Sequence, residues 1–436
     1  MLSAFRSALT TPDLRKKILF TLGVVAVYRL GANIPSPGVS FPNVQQCIAA
    51  VEGGANSGVY SLINLFSGGA LLQLSILALG IMPYITASII VQLLTVVIPR
   101  FEQLKKEGQS GQAKLTQYTR YLTIALAILQ ATGIVALAVR GVLFQGCNVP
   151  VIPDQSIFTL AVMVIVMTAG CAVVMWLGEQ VTERGIGNGM SLLIFASIAH
   201  RIPAEGKNIL DNSGGLVFAG VCVFGLAIIA SVVFVEQGQR RIPVQYAKRM
   251  VGRRMYGGTS TYLPLKVNQA GVIPVIFGSS LLYLPSLIAQ LAGSGDSWFQ
   301  RFVQTYLVDQ SNWLHIVLYV ALIIFFTYFY VGITFSPEER ADEMKKFGGF
   351  IPGIRPGRPT AEYLNFVLSR ITLPGSLYLG VIAVLPNFFL GITGSGQNQN
   401  FPFGGTAVLI MVGVGLDTVK QIESQLMQRN YEGFLR

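Results

Sequence analysis

The stretch Tyr60-Ser-Leu-Ile-Asn-Leu-Phe-Ser-Gly-Gly-Ala-Leu-Leu-Gln-Leu74, continued by Ser75 to Ile98, decides how the chain is read. A half-polar amphipathic piece carrying Gly68 and Gly69 runs straight into an apolar span that contains Gly80, Pro83 and Gln92. Irregular backbone at membrane depth is tolerated only where it is buried in protein or lines a cavity. The break therefore points to a pore or a binding site rather than to an ordinary lipid-facing helix.

The composition places this stretch in a membrane protein. Of 436 residues, 52% are hydrophobic and 12% charged, against about 25% charged in a soluble domain. Ten stretches have the roughly 20 apolar residues that a spanning helix needs: about 18–36, 74–98, 117–139, 156–177, 187–202, 216–235, 268–291, 313–335, 371–391 and 404–426. The N-terminus has Arg15-Lys-Lys17 before a long first run and no small-residue cleavage site, so no signal peptide is expected.

The net charge of +11 is distributed unevenly. With the N-terminus inside, all but Arg29, Arg140, Arg201, Lys207 and Arg301 fall in or beside inner segments. This asymmetry predicts both termini in the cytoplasm. Two inner segments are large, 236–267 and 336–370. The alternation in Arg241-Ile-Pro-Val-Gln-Tyr246 and the turn at Gly257-Gly258 predict a cytosolic hairpin. Phe350-Ile-Pro-Gly-Ile-Arg-Pro-Gly-Arg-Pro359 is a turn-rich loop presenting Arg355 and Arg358. Seven Lys and Arg in 240–266, interleaved with Tyr246, Tyr256 and Tyr262, suit docking of a large acidic partner. Topology signalling or contact with anionic lipid is the plainer alternative.

The chain divides at 203–215 into two sets of five spans, with interruptions at Gly80 and Pro83 in one and Pro274 and Pro285 in the other. Five plus five in opposite orientation is the topology of an inverted repeat. The expected units are a 1–17 amphipathic N-terminus, an 18–202 half, a 203–215 external hinge, a 216–426 half and a 427–436 tail.

Several motifs are negative. Gly185-Ile-Gly-Asn-Gly-Met-Ser191 lacks the lysine and βαβ context of a phosphate loop and reads as a flexible lead into the fifth span. No metal-binding, nucleophilic or paired-acid constellation is present, and no metal, cofactor or enzymatic activity is expected. His200 and His315 sit near outer span ends and read as interfacial. Arg29 reads as a snorkelling side chain, Glu179 and Glu183 flank the inner mouth of the fourth span, and Asp417 is the deepest acid. These charges form no relay, which weighs against an ion-coupled small-solute transporter, the second function class. Cys171 and Cys222 read as packing residues. Cys47 and Cys147 lie on the same outer side, where a bridge is possible, but two free thiols are the expected state.

Ile81 and Ile85 share a helix face, as do Met190 and Ile194. Such pairs are ordinary packing residues; from several helices together they would form a hydrophobic gate.

Phe66-Ser-Gly-Gly-Ala70, Ala78-Leu-Gly-Ile-Met-Pro-Tyr-Ile-Thr-Ala-Ser-Ile-Ile90, Lys105-Lys-Glu-Gly108, Trp176-Leu-Gly-Glu-Gln-Val-Thr-Glu-Arg-Gly-Ile-Gly-Asn-Gly189, Leu263-Pro-Leu-Lys-Val-Asn268 and Pro352-Gly-Ile-Arg-Pro-Gly357 resemble the SecY family, the central subunits of bacterial protein-conducting channels. The resemblance runs from about Arg15 to Arg436. It implies an all-α membrane protein of ten transmembrane helices in two pseudo-symmetric inverted five-helix halves around an hourglass pore, in the bacterial plasma membrane. It implies a plug helix at 60–73, including Tyr60, Leu62, Leu65, Phe66, Ser67, Gly68 and Gly69. It implies a constriction ring of Ile81, Ile85, Met190, Ile194, Ile276 and Ile410, with Ile273 the alternative to Ile276; Met190 departs from the usual Ile. The lateral gate would lie between spans two and three and spans seven and eight, with Thr86 and Gln130 as polar gate residues. Lys105, Lys106, Arg240, Arg241, Lys248, Arg249, Arg253, Arg254, Arg355 and Arg358 would dock the SecA motor or the ribosome. SecE and SecG would be membrane partners, and preproteins with their signal peptides the substrates, without direct DNA binding.

Overall fold

The computed structural model describes residues 11–52, 68–139, 141, 147, 149–246, 249–251, 254–256, 260–291, 302–308, 312–392 and 405–432. The sequence-predicted sites Tyr60, Leu62, Leu65, Phe66, Ser67, Lys248 and Arg253 lie outside these residues. The described chain is mainly helical. In order it forms α1 (Pro12–Ala32), α2 (Phe41–Glu52), α3 (Met82–Val97), α4 (Pro99–Lys106), α5 (Gln109–Val139), α6 (Ile157–Arg184) and α7 (Gly189–Gln237). A strand region follows, with β1 (Gln239–Tyr246), β2 (Arg249–Val251), β3 (Arg254–Tyr256) and β4 (Ser260–Lys266). Then come α8 (Ile273–Leu291), a π-helical turn at Val303–Val308, α9 (Trp313–Thr334), α10 (Pro337–Lys346), β5 (Gly349–Phe350), α11 (Arg358–Ile392) and α12 (Gly405–Glu432).

Each of the ten expected spans contains a helix. Among the described residues, five stretches are long and apolar enough by themselves to cross a membrane: Gln109–Val139, Ile157–Arg184, Gly214–Gln237, Trp313–Lys346 and Arg358–Leu385. Met82–Val97 with Pro99–Lys106 passes as a sixth only as a pair bent by 100°. The bend falls at Ile98, which is extended, as the residue before a proline prefers.

The structure corrects the second span. Its helix begins only at Met82, and residues 68–81 are turns interrupted by an isolated bridge of Ser75 to Pro35, rather than the start of a span or the end of a plug helix. This irregular backbone is buried and satisfied by the loop after α1. Ser36 N–H donates to the Leu74 carbonyl at 3.0 Å, and Ile76 N–H to the Ile34 carbonyl at 3.0 Å. Two glycines make room for it. A methyl on Gly170 would overlap the Ile76 carbonyl, and one on Gly31 would stand 2.7 Å from Leu77 Cδ1.

The segment 203–215 is helical and part of α7, and the helical path breaks at Gly214 alone, at φ 82° and ψ 165°. Such a backbone conformation favours glycine. The lead into α7 is capped and closely packed. The Asn188 side chain caps it by accepting from Met190 N–H at 3.1 Å, and Gly189 packs directly on the Gly178 carbonyl.

The strands form the expected hairpin and extend it. β1 pairs antiparallel with β4 from Gln239↔Lys266 to Gln245↔Ser260. The two large loops, read separately in the sequence, join in one sheet of order β4-β1-β5, through Gln245↔Phe350 and Tyr246↔Gly349. Ile242, Leu265, Ile351 and Leu364 are buried together beneath it. Lys266 reaches Asp417 of α12 at 3.6 Å. At the sheet's base, Asn268 Nδ2 donates to Glu236 at the end of α7 and, at 3.1 Å, to the Gly271 carbonyl.

Three side chains also differ from expectation. Cys47 and Cys147 are bonded, with Cα atoms 5.3 Å apart, because α2 folds back beside the Val139 end of α5. Cys171 and Cys222 are free. His315 is buried rather than interfacial, with Nδ1 2.7 Å from the Leu307 carbonyl.

Candidate functional site

The six residues of the expected constriction come from four helices and the turn before one of them, and meet in one apolar cluster. Ile81 precedes α3 and Ile85 lies in its first turns; Met190 and Ile194 are on α7, Ile276 on α8 and Ile410 on α12. Ile81, Met190, Ile194, Ile276 and Ile410 are buried, and Ile85 is partly buried against them. Ile273, the alternative to Ile276, packs on the same cluster but is only partly buried.

A cavity of about 420 Å³ opens onto this cluster. Ile85, Met190, Ile194, Ile273 and Ile276 form its apolar wall. Thr116, Arg120, Glu179, Thr182, Glu183 and Asn188 line its polar side. Arg120 of α5 holds Glu179 of α6 by two parallel bonds, Nε to Oε1 at 2.9 Å and Nη2 to Oε2 at 2.8 Å. This planar two-point pairing fixes both side chains. Glu179, read from sequence as a charge at the span mouth, is thus a paired wall residue. The cavity thus has one apolar and one polar side.

α5 and α3 pack on one side, α8 and α9 on the other, and α8 also touches α5. Phe277 of α8 meets Phe326 of α9 edge to face, with ring centroids 5.5 Å apart. Thr86 is half-buried and donates to the Met82 carbonyl of its own helix at 2.9 Å. Gln130 is half-buried on α5. Neither lines the cavity, so the structure does not bring these two residues into its wall.

Of the expected plug residues, two are described: Gly68 is buried with φ +64° and Gly69 is half-buried with φ +94°. Arg29 does not snorkel. Its Nη1 donates to the Gly68 carbonyl at 3.2 Å and its Nη2 to the Ala196 carbonyl of α7. No sequence signal announced this contact; only the isolation of a lone arginine in an apolar run hinted at it.

The basic residues sit on and near the sheet. Arg240 and Arg241 are exposed on β1, with Arg241 stacked 4.9 Å from the Tyr262 ring centroid. Arg249 and Arg254 lie on β2 and β3, the second hairpin. Arg355 is exposed on the loop after β5, and its carbonyl accepts from the buried Thr360 hydroxyl at 2.9 Å. Arg358 is exposed and lies 3.3 Å from Glu362. Lys106 pairs with Glu102 at 2.7 Å, which raises the lysine's pKa and lowers the carboxyl's. Lys105 instead donates to the Ile333 carbonyl at the end of α9, at 3.2 Å. That carbonyl end of a helix attracts cations.

The SecY family profile matches residues 75–419, the part of the chain that holds all six cluster residues. The protein translocase subunit SecY of Mycobacterium tuberculosis strain H37Rv is 74% identical over the full length of both chains. The chain belongs to the SecY family. The protein translocase subunit SecY of Streptomyces coelicolor is 65% identical, again over the full length of both. Among solved structures, a protein-conducting channel aligns at TM-score 0.62 and 18% identity, over 94% of this chain and 91% of that one. Sec61 in the canine ribosome–channel complex aligns at TM-score 0.60 and 18% identity, over 94% of this chain and 91% of that one. These likenesses show a shared fold. SecY-family membership accounts for what the chain lacks in motifs for chemistry: its relatives are named as translocase subunits.

Proposed function

We propose that the chain is the channel subunit of a protein translocase in a bacterial plasma membrane. It moves unfolded preproteins across the membrane and releases apolar segments, such as signal peptides, sideways into lipid. The observation that carries this reading is the convergence of Ile81, Ile85, Met190, Ile194, Ile276 and Ile410 in one apolar cluster, of which Ile85, Met190, Ile194 and Ile276 face a cavity with a polar side. An apolar neck offers no hydrogen bonds to hold a passing chain, and a narrow one dewets and so excludes ions. That pairing suits a conduit for many sequences.

The remaining assignments follow the same logic. Residues 60–73 act as the plug, and Thr86 and Gln130 belong to a lateral gate between spans two and three and spans seven and eight. The two halves, 18–202 and 216–426, move about the connection that breaks at Gly214. Both termini and the β4-β1-β5 sheet face the cytosol, where Lys and Arg concentrate. The Cys47–Cys147 bridge supports this orientation, since it suits an oxidising exterior. The exposed Arg240, Arg241 and Arg355 dock an external motor, SecA, or the ribosome, and SecE and SecG cover the lipid-facing flanks. Solved relatives include a ribosome–channel complex, and the basic sheet suits ribosomal RNA or an acidic protein surface.

Ion conductance in planar bilayers, with the small partner subunits present, tests the reading. Wild type is expected to stay closed and a deletion of 60–73 to flicker open. If both are silent while a labelled small solute enters vesicles, the chain is a transporter instead.

A further inference from the structure

Arg29 is the one cation of the first span's outer half, and the structure gives it an unusual setting. It lies in the last turn of α1, half-buried. Among the described residues no carboxylate pairs with it. Two backbone carbonyls from separate elements answer its charge: Gly68, in the turns before α3, and Ala196, within α7. Its neighbours fix its position. The Tyr28 ring lies 5.7 Å from the guanidinium carbon. The Tyr28 hydroxyl is 3.0 Å from the Ser197 hydroxyl, which itself donates to the Leu193 carbonyl at 2.9 Å. The Ser197 proton is therefore committed, and Tyr28 donates to Ser197.

Gly68 completes the arrangement. It is buried, its φ of +64° is one that side chains disfavour, and a Cβ there would stand 2.7 Å from Arg29 Nη1 and 3.1 Å from Ser197 Cβ. Only glycine lets this carbonyl approach the guanidinium. The turns that follow bury Ala70, Leu71 and Leu74 almost completely. Gly68 is thus part of a packed stretch, and Arg29 holds it against α7.

We propose that Arg29 is a clasp that keeps the resting channel closed, by tying the Gly68 turn to α7 through two backbone carbonyls. The proposal rests on the channel reading above and assigns that channel a positioning residue. The physics suits a releasable contact. A carbonyl pair holds a guanidinium by charge-assisted bonds without the fixed counter-charge of an ion pair. When Gly68 leaves, the cation loses one of its two acceptors and water takes that place.

The test compares single-channel records of wild type, Arg29→Gln, Arg29→Lys, Gly68→Ala and the double variant Arg29→Gln with Gly68→Ala. All are purified with their partner subunits and checked for folding by size exclusion. Ile276→Asn serves as the conducting control. Each of Arg29→Gln and Gly68→Ala is expected to raise opening frequency about tenfold, the scale of losing a hydrogen bond to a charged group, with unitary conductance unchanged. Arg29→Lys, which reaches one carbonyl but not both, should fall between. The double variant should open less often than the product of the two single effects, because both remove the Arg29–Gly68 contact. A side chain with a merely structural role would lower the folded yield without this pattern. If Arg29→Gln and Gly68→Ala stay closed while Ile276→Asn conducts, or if their effects multiply, the clasp is refuted and the channel stands. If Ile276→Asn and the deletion of 60–73 are silent as well, the channel reading falls with it.

Discussion

Met190 reaches the apolar cluster because residue 178 has no side chain. A methyl on Gly178 of α6 would overlap the Met190 sulfur, and Gly189 at the start of α7 rests on the Gly178 carbonyl. Two glycines on neighbouring helices thus bring α6 and α7 close enough to aim Met190 and Ile194 inward. Small residues at such contacts are what let membrane helices pack without a hydrophobic driving force between them.

Gly178→Ala should therefore do two things. It should destabilise the protein by about 1–3 kcal/mol, the cost of overpacking a filled interior, and it should push Met190 off the cluster and raise ion leak. Thermal unfolding in detergent and dye release from vesicles read the two effects. An unchanged melting temperature together with an unchanged leak would show that Met190 is not held by this contact.

The fold was largely legible because the membrane simplifies the chain: apolar runs mark helices, and Lys and Arg mark a side. Residues 68–81 were harder. Their apolar composition reads as helix, and the turns owe their stability to loop carbonyls and N–H groups near Ile34 and Ser36, far along the chain. No local pattern announces such partners. The same holds for β5, two residues that join the sheet only because α10 returns Gly349 to Tyr246. At the site, the six apolar residues were named from family resemblance, since isoleucines four apart are otherwise ordinary. The Arg120–Glu179 pair and the Arg29 contacts escaped because each joins residues more than 38 positions apart.

Reduction of Cys47–Cys147 should lower stability. The bridge closes a separation of 100 residues, for which chain entropy alone gives about 4.7 kcal/mol. Retained structure in the unfolded membrane protein reduces this, so a loss of about 2–4 kcal/mol is expected. Melting with and without a membrane-impermeant reductant, in vesicles of known orientation, reads it. Loss only when the reductant is outside fixes the side; no loss in either orientation would mean the bridge contributes nothing to holding α2 against α5.

The base of the β4-β1-β5 sheet offers a finer test. Asn268 is 3% exposed and donates to both Glu236 and the Gly271 carbonyl. Asn268→Leu strands both acceptors and should cost about 1–3 kcal/mol. Glu236→Gln keeps a carbonyl acceptor for Asn268 and should cost less. Equal losses from the two, measured by denaturation, would mean that packing rather than this bond holds the sheet to α7.

Arg355 separates docking from folding. Its side chain is exposed, and the loop's shape is set by backbone: Thr360 holds the Arg355 carbonyl, and Gly353 and Gly357 take φ values of +82° and +104°. Reversing its charge therefore removes nothing that supports the fold, and surface changes of this kind usually stay within about 0.5 kcal/mol. What it changes is the field that a partner meets. A like charge placed against an acidic docking surface costs several kcal/mol at the interface. Arg355→Glu should accordingly block motor-driven export of a reporter preprotein while the variant melts as wild type and its bilayer conductance stays closed. Arg358→Glu is the comparison, since Arg358 already shares its charge with Glu362 at 3.3 Å, and it should impair export less. Normal export by Arg355→Glu would remove the loop from the docking surface and leave Arg240 and Arg241 to carry it.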